Sequence, residues 1–318
     1  MNARNVWIEA AALTVVAAFL YQSTLLVFVF LVPLAVIGKR HGPEWLGTAA
    51  LVTGGVVLAT RITSLIRLGV EWDLAVLLLE MLPPAVFLGG LYLLETRLLV
   101  GVRRVYRLLQ AVMITGAVSV PVILLVSSSD TAMGALREQF ELLHAMFTGP
   151  EADTAALGRY ATVDGMMEAV FDLLLSTFLF VYAVMLAGNW YLGELIGART
   201  RGVEPLRLRD YRLPEVFVWV LVAALSGALL SLVGNIGVFE HLAWNGVFII
   251  LFLYGVQGIG IIWSLLDRWD VARGIRIGVG AALAFLLLVP GANLLVVLGV
   301  PGLGVAETWI HFRTGERS

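Results

Sequence analysis

The sequence predicts an all-α fold, a polytopic transmembrane helix bundle of about eight to ten segments. Three observations predict it. Hydrophobic residues make up 60% of the chain and charged residues only 14%. Mean hydropathy is +0.93. Apolar runs close to the roughly 20 residues that a spanning helix needs recur from Val6 to Ile310, with short polar breaks between them. A chain of 318 residues with this composition lies outside the soluble class, and no polar stretch is long enough to form a separate soluble domain.

Six runs are long enough to cross a bilayer unaided: 44–60, 74–94, 108–127, 167–190, 214–234 and 243–266. The two ends are different, because Trp7 to Ile37 and Ile277 to Ile310 are each too long for one upright helix and short for two. Each carries its own breaker. The first is interrupted by Tyr21-Gln22-Ser23-Thr24 and the last by Pro290-Gly291-Ala292-Asn293, residue types that end helices. The first run is read as a retained membrane segment and not a cleaved signal, since a second apolar run follows it at once.

Lysine and arginine gather on the cytoplasmic side of a membrane protein, and their placement orients the chain. With 39–43 inside, the loops 95–107, 191–213 and 267–276 are also inside, and together they hold 14 of the 21 basic residues. The outer loops hold Arg61, Arg67, Arg137 and Arg159 alone. Keeping Arg313 and Arg317 inside requires an even number of crossings after Arg276, so the last run is expected to be a hairpin of two short helices. The same reasoning, from Arg4, divides the first run. Ten segments result, in a bacterial-type inner membrane with both termini cytoplasmic. Trp7, Trp45, Trp72, Trp190, Tyr191, Tyr211, Trp244, Trp269 and Trp309 all fall near segment ends, where interfacial rings belong. The long outer loop 128–166 carries Met133, Leu136, Phe140, Leu143 and Phe147 at near-helical spacing. That predicts an amphipathic surface helix lying on the membrane or capping the bundle.

With no cysteine there is no disulfide, thiolate metal site or cysteine nucleophile. His41, His144, His241 and His311 are scattered without the spacing of a metal site, and read as loop or interface residues. No nucleotide-binding GxxxxGK[ST] loop, HExxH helix or GxSxG elbow is present. The sequence therefore predicts no catalytic residue, no cofactor, no metal, no nucleic-acid partner and no energy source of its own.

Charges inside apolar segments are the informative ones, because a carboxylate at mid-bilayer costs on the order of 3 kcal/mol and needs a partner or a role. Glu80 lies one turn before Pro83-Pro84, and Asp172 lies within MMEAVFDLLLSTF. Asp164, Glu168 and Asp172 are spaced by four, and Asp73 and Glu80 by seven, so each set shares a helix face. Glu80, Asp172, Glu168 and Asp73 are the predicted ligand-binding residues, facing one outward-opening cavity. The competing reading is neutralisation by Arg61, Arg67 or Arg159. A small-residue stripe, Ala10, Thr14 and Ala18, is the predicted partner-binding face, with packing inside the chain as its rival. Gln110, Asn189, Asn235, Asn245, Gln257 and Asn293 read as interhelical hydrogen-bonding groups.

Three stretches near the C-terminus, LRDYRLPEVFVW (208–219), NGVFIILFLYGVQGIGIIW (245–263) and GLGVAETWIHFR (302–313), together resemble the YybS-like family of predicted bacterial membrane proteins. The residues that carry the resemblance are Pro214, Gln257 with Gly258, and Gly304, Glu307, Trp309 and Phe312 with Arg313; the family pattern leads one to expect aspartate at Glu307. No activity transfers with it. The N-terminal part is similar in layout to the substrate-binding subunits of energy-coupling-factor transporters, with six helices and a small-residue first helix in which Ala-Thr-Ala replaces AxxxA. The resemblance implies a six-segment bundle with an outward ligand site over 1–197 and a four-segment part with a basic cytoplasmic loop over 198–318.

The expected function is non-enzymatic binding or assisted transport of a small solute, with membrane lipids around the chain and a partner membrane protein or ATPase complex supplying any energy. Its rivals are a membrane scaffold recruiting partners through the basic loop Arg199 to Arg212 and a membrane enzyme acting on lipid-type substrates.

Overall fold

A computed structural model describes residues 3–23, 25–68, 73–96, 103–147, 158–200, 202, 204, 206–234 and 237–313. The described residues form eleven α-helices and no strand. They are α1 (Ala3–Gln22), α2 (Leu31–His41), α3 (Pro43–Leu68), α4 (Leu74–Glu95), α5 (Arg104–Ser127), α6 (Asp130–Phe147), α7 (Val163–Thr200), α8 (Phe217–Gly234), α9 (Gly237–Arg268), α10 (Arg273–Leu288) and α11 (Asn293–Ala306). The chain forms two compact units, Met1–Pro205 and Leu206–Ser318. The boundary expected at 197/198 falls instead inside α7, which continues to Thr200 before the chain leaves the helix.

Seven helices are long and apolar enough to cross a membrane: α1, α3, α4, α5, α7, α8 and α9. They include all six runs singled out above. Each of the ten expected segments is a helix, but α2, α10 and α11 have only 11, 16 and 14 residues. At about 1.5 Å per residue none of the three matches a hydrocarbon core of about 30 Å. The expected breaks are present. Pro290 to Ala292 form the turn between α10 and α11, with Gly291 at φ +84, where a side chain would be strained.

In the first unit, α2 is the core helix. Leu31 and every residue from Pro33 to Gly38 are buried, and Leu31, Leu34, Ala35 and Ile37 are wholly so. A helix apolar all round belongs inside a bundle, and α2 packs against α1, α3, α4 and α7. Two glycines of α7 let it come close: a Cβ on Gly193 would stand 3.3 Å from the Ala35 Cα, and one on Gly197 would stand 2.9 Å from the Lys39 Cβ. Backbone groups freed where the first run breaks need partners in a membrane. The Asn189 amide nitrogen of α7 supplies one, donating to the Phe28 carbonyl at 2.8 Å and to the Met185 carbonyl at 2.8 Å.

A second node joins α4, α5 and α7. The Thr115 hydroxyl donates to the Tyr182 hydroxyl at 2.8 Å, which donates to the Val86 carbonyl at 3.1 Å. The sequence expectation for α6 holds in outline: Ala132 is fully buried against α4 and α5, and Phe140 packs on Phe171 of α7 with ring centroids 6.3 Å apart, so α6 caps the bundle. Leu143 is exposed, and the Phe147 side chain lies outside the described residues.

In the second unit, α9 is central and packs on α8 and α11, while α10 packs on α11. Helix α8 carries Trp219, Val222, Leu225, Leu229, Leu230, Leu232 and Val233 exposed, an outward apolar face suited to lipid.

Candidate functional site

The four carboxylates predicted to bind ligand stand in different local settings. Asp73 precedes α4 and caps it, accepting from the Ala75 amide at 2.8 Å and from the Ser129 hydroxyl at 2.6 Å. Those bonds hold its carboxyl below the ordinary carboxylate range, the Ser129 bond most strongly. Glu80 lies 3.1 Å from the Arg61 guanidinium. Glu168 is exposed and Asp172 half-buried on α7, while Asp164, above them on the same helix, pairs with Arg137 of α6 at 3.0 Å. None of the four lines the cleft at His41–Thr96 or the one at Val56–Arg67. Glu80 is matched by Arg61 of α3, as the competing reading expected, because antiparallel packing brings Arg61 to its depth. The partner-facing stripe turns inward instead. Ala10, Thr14 and Ala18 are all buried within the chain, and the Thr14 hydroxyl turns back to the Ala10 carbonyl at 2.7 Å. Asn235, Trp72 and Arg201 lie outside the described residues, as does the Arg159 side chain.

The polar groups that the first unit does gather are at the opposite ends of α3 and α4. Lys39, at the end of α2, is 2.9 Å from Glu95 of α4 and 2.8 Å from Glu194 of α7. The Trp190 indole donates to Glu95 at 2.6 Å, and the Lys39 ammonium lies 5.1 Å from the Trp190 ring centroid. Beside it, Arg40 pairs with Glu9 of α1 and donates to the Thr200 hydroxyl at 3.0 Å. One short basic turn thus ties α1, α2, α4 and α7 together.

Next to these ion pairs is a cleft of about 670 Å3 lined by His41, Gly42, Pro43, Glu44, Trp45, Tyr92 and Thr96. Its floor is the turn from α2 into α3, reversed at Gly42 with φ +95, and its wall is the end of α4. A Cβ on Gly47 would meet the Tyr92 ring at 3.1 Å, so glycine there lets that ring lie close against α3. Trp7 meets Trp45 edge-on at 4.7 Å between centroids. The His41 side chain is only 4% exposed, and burial, with Arg40 adding to it, lowers its imidazole pKa below the ordinary value. The sequence reading used Lys39 and Arg40 only to orient the chain. The missed signal was acidic, since Glu95 and Glu194 stand at the ends of apolar runs on the side richest in arginine.

The second unit brings the scattered C-terminal motif residues together. Glu307 and Arg313 form an ion pair with side chains 7% and 3% exposed, the Arg313 Nε donating to Glu307 at 2.5 Å. Arg313 also donates to the carbonyls of Arg209 and, at 3.1 Å, Tyr211. Gln257 accepts from the Leu213 amide at 2.7 Å and donates to the Gly304 carbonyl at 2.9 Å. Gly258 and Gly304 allow the contact between α9 and α11. A Cβ on Gly258 would stand 2.8 Å from the Val300 carbonyl carbon, and one on Gly304 would stand 3.0 Å from that of Tyr254. Burial raises the Tyr211 phenol pKa. Arg209 is occupied internally, 3.1 Å from Asp267, which Arg276 also holds. Among the described residues the Glu307, Arg313 and Gln257 side chains pair with groups of their own unit, so they form a clasp.

Seven crossing helices with lipid-suited outer faces and paired internal charges define a multi-pass α-helical membrane protein. The chain belongs to the family described as predicted membrane protein (DUF2232), which it matches over residues 10–301. No curated protein and no solved structure matches it.

Proposed function

We propose that the protein is a non-enzymatic membrane protein that binds a small solute in the cleft lined by His41, Glu44, Trp45, Tyr92 and Thr96, any transport energy being supplied by another chain. The carrying observation is the cleft itself: its volume of about 670 Å3 falls in the usual range for small-molecule sites, and it combines two aromatic rings with a few polar groups. The adjoining Lys39, Glu95, Glu194 and Trp190 network supports the reading, because it fixes the helix ends that shape the cleft. This differs from the sequence expectation in placing the solute on the basic side. With the basic loops cytoplasmic, the site faces the cytoplasm of a bacterial inner-membrane protein whose termini are both cytoplasmic. The likeness of the C-terminal motifs to the YybS-like family and of the first unit's layout to energy-coupling-factor substrate-binding subunits belongs to the same proposal. The buried stripe Ala10, Thr14 and Ala18 argues that any energy-coupling partner docks elsewhere.

The test is mass spectrometry of small molecules that copurify with the full chain, repeated for Tyr92→Leu. Tyr92 is partly exposed, so the variant is expected to fold. Loss of a stoichiometric copurifying molecule supports the assignment, and full retention of that molecule rejects the cleft.

A further inference from the structure

The cleft is chemically one-sided. Among its described lining residues Glu44 is the only one ionised at neutral pH, since burial keeps His41 neutral and no lysine or arginine lines it. Glu44 is exposed at the start of α3 and has no ion pair among the described residues. Immediately behind the cleft, Lys39 is shared by Glu95 and Glu194, while Arg40 is matched by Glu9. Among the described side chains there, four carboxylates, Glu44 included, stand against two cations. The surrounding loops are basic, but Arg103 and Arg104 are exposed at the start of α5 and are not lining residues.

Helix ends act in the same direction. The residues that terminate α2 and α4, Gly42 and Thr96, both line the cleft, so the C-terminal ends of two helices, which carry partial negative charge, adjoin it. The single N-terminus present, that of α3, already carries Glu44 in its first turn. Trp45 and Tyr92, both lining residues, carry aromatic rings of the kind that attract cations.

The His41 side chain is almost wholly buried with its Nε2 3.3 Å from the Glu9 carboxylate, and it adds no positive charge to the cleft. The Thr96 hydroxyl, which donates to the Leu93 carbonyl at 2.9 Å, keeps its lone pairs for a second donor.

We infer that the solute bound in this cleft is a small organic cation carrying a protonated amine, seated against Trp45 and Tyr92 with its ammonium directed at Glu44. The inference rests on the solute-binding reading and adds the ligand's charge class. The test is a matched series of probes, benzylamine, benzyl alcohol and benzoate, titrated calorimetrically into the full chain in lipid nanodiscs. Benzylamine is expected to bind saturably and at least about tenfold more tightly than benzyl alcohol, with benzoate weakest. Glu44→Gln, a change at an exposed position, is expected to remove most of that difference, and Tyr92→Leu to weaken both. If benzyl alcohol or benzoate binds as tightly as benzylamine and Tyr92→Leu weakens it, the cation assignment is overturned while the solute-binding reading stands. If none of the three binds in a Tyr92-dependent way, the amine site is overturned as well, and a copurifying molecule lost in Tyr92→Leu then decides whether the cleft binds a solute of another class.

Discussion

Replacing Arg313 with glutamine tests the clasp in the second unit. Arg313 makes two bonds to the Glu307 carboxylate and two to the backbone carbonyls of Arg209 and Tyr211, while Glu307 has Arg313 as its described partner. The two side chains are almost fully buried. Arg313→Gln leaves a buried carboxylate uncompensated and deprives two carbonyls of their donor, which should cost roughly 3 to 5 kcal/mol. Glu307→Gln leaves the guanidinium with both carbonyl partners and a neutral amide oxygen beside it, and should cost about half as much. Arg313→Lys keeps the charge but loses the planar fork, and should fall between them. The double replacement Glu307→Gln with Arg313→Met removes both charges and should be less destabilised than Arg313→Gln alone. Thermal unfolding in detergent ranks the four variants, and hydrogen exchange of the 206–213 amides reports the clasp directly, because the second unit need not melt together with the first. Equal effects of Arg313→Gln and Glu307→Gln, or an Arg313→Gln protein as stable as wild type, would refute the reasoning.

Other consequences are equally open to measurement. Ala18→Leu should lower the melting temperature of the isolated protein by an overpacking cost of about 1 to 3 kcal/mol, since Ala18 is 6% exposed inside the chain; an unchanged melt would restore the partner-facing role. Glu80→Gln leaves Arg61 without its carboxylate and should destabilise by about 1 to 3 kcal/mol, and Arg61→Gln with Glu80→Gln should recover part of that loss. Asp73 has a depressed pKa in the fold, so its cap on α4 is fully present above the ordinary carboxylate range and is lost as pH falls through the lowered value. Exchange of the Ala75 amide should therefore quicken only below about pH 4; a rise between pH 5 and 7 beyond the intrinsic rate change would contradict this. For orientation, the exposed Ser128 and Arg199 are suitable single-cysteine positions in a chain without cysteine. An impermeant maleimide should label Ser128→Cys in intact cells and spare Arg199→Cys, and the reverse pattern would invert the proposed topology.

The first-unit helices were legible because a bilayer demands length and apolarity, and both are properties of consecutive residues. The run 74–94 became α4 almost to the residue, and 108–127 became α5 with one further turn at its start. The breaks after Gln22 and at Pro290–Ala292 were equally local, falling at or beside the polar and turn-forming residues that interrupt the two apolar runs. The amphipathic pattern of 128–166 likewise located α6. What spacing could not say was which face meets which neighbour. Asp73 and Glu80 share a face by arithmetic, yet one caps its own helix and the other meets an arginine from α3. Ala10, Thr14 and Ala18 form the same stripe whether they face a partner or the core, and only packing placed them inside.

The C-terminal motif divides along the same line. The sequence alone set the order of Gln257, Gly258, Gly304, Glu307 and Arg313 along the chain, and it determined the membrane class through hydropathy. Tertiary structure decided that these residues close on one another as a clasp. It also decided that the basic turn at Lys39 meets Glu95 and Glu194, from positions 56 and 155 residues further along the chain. The physical reason is that the bilayer acts on each segment separately, through its own residues. Charge pairing, glycine contacts and clefts depend on how helices distant in sequence pack, and no local pattern encodes that.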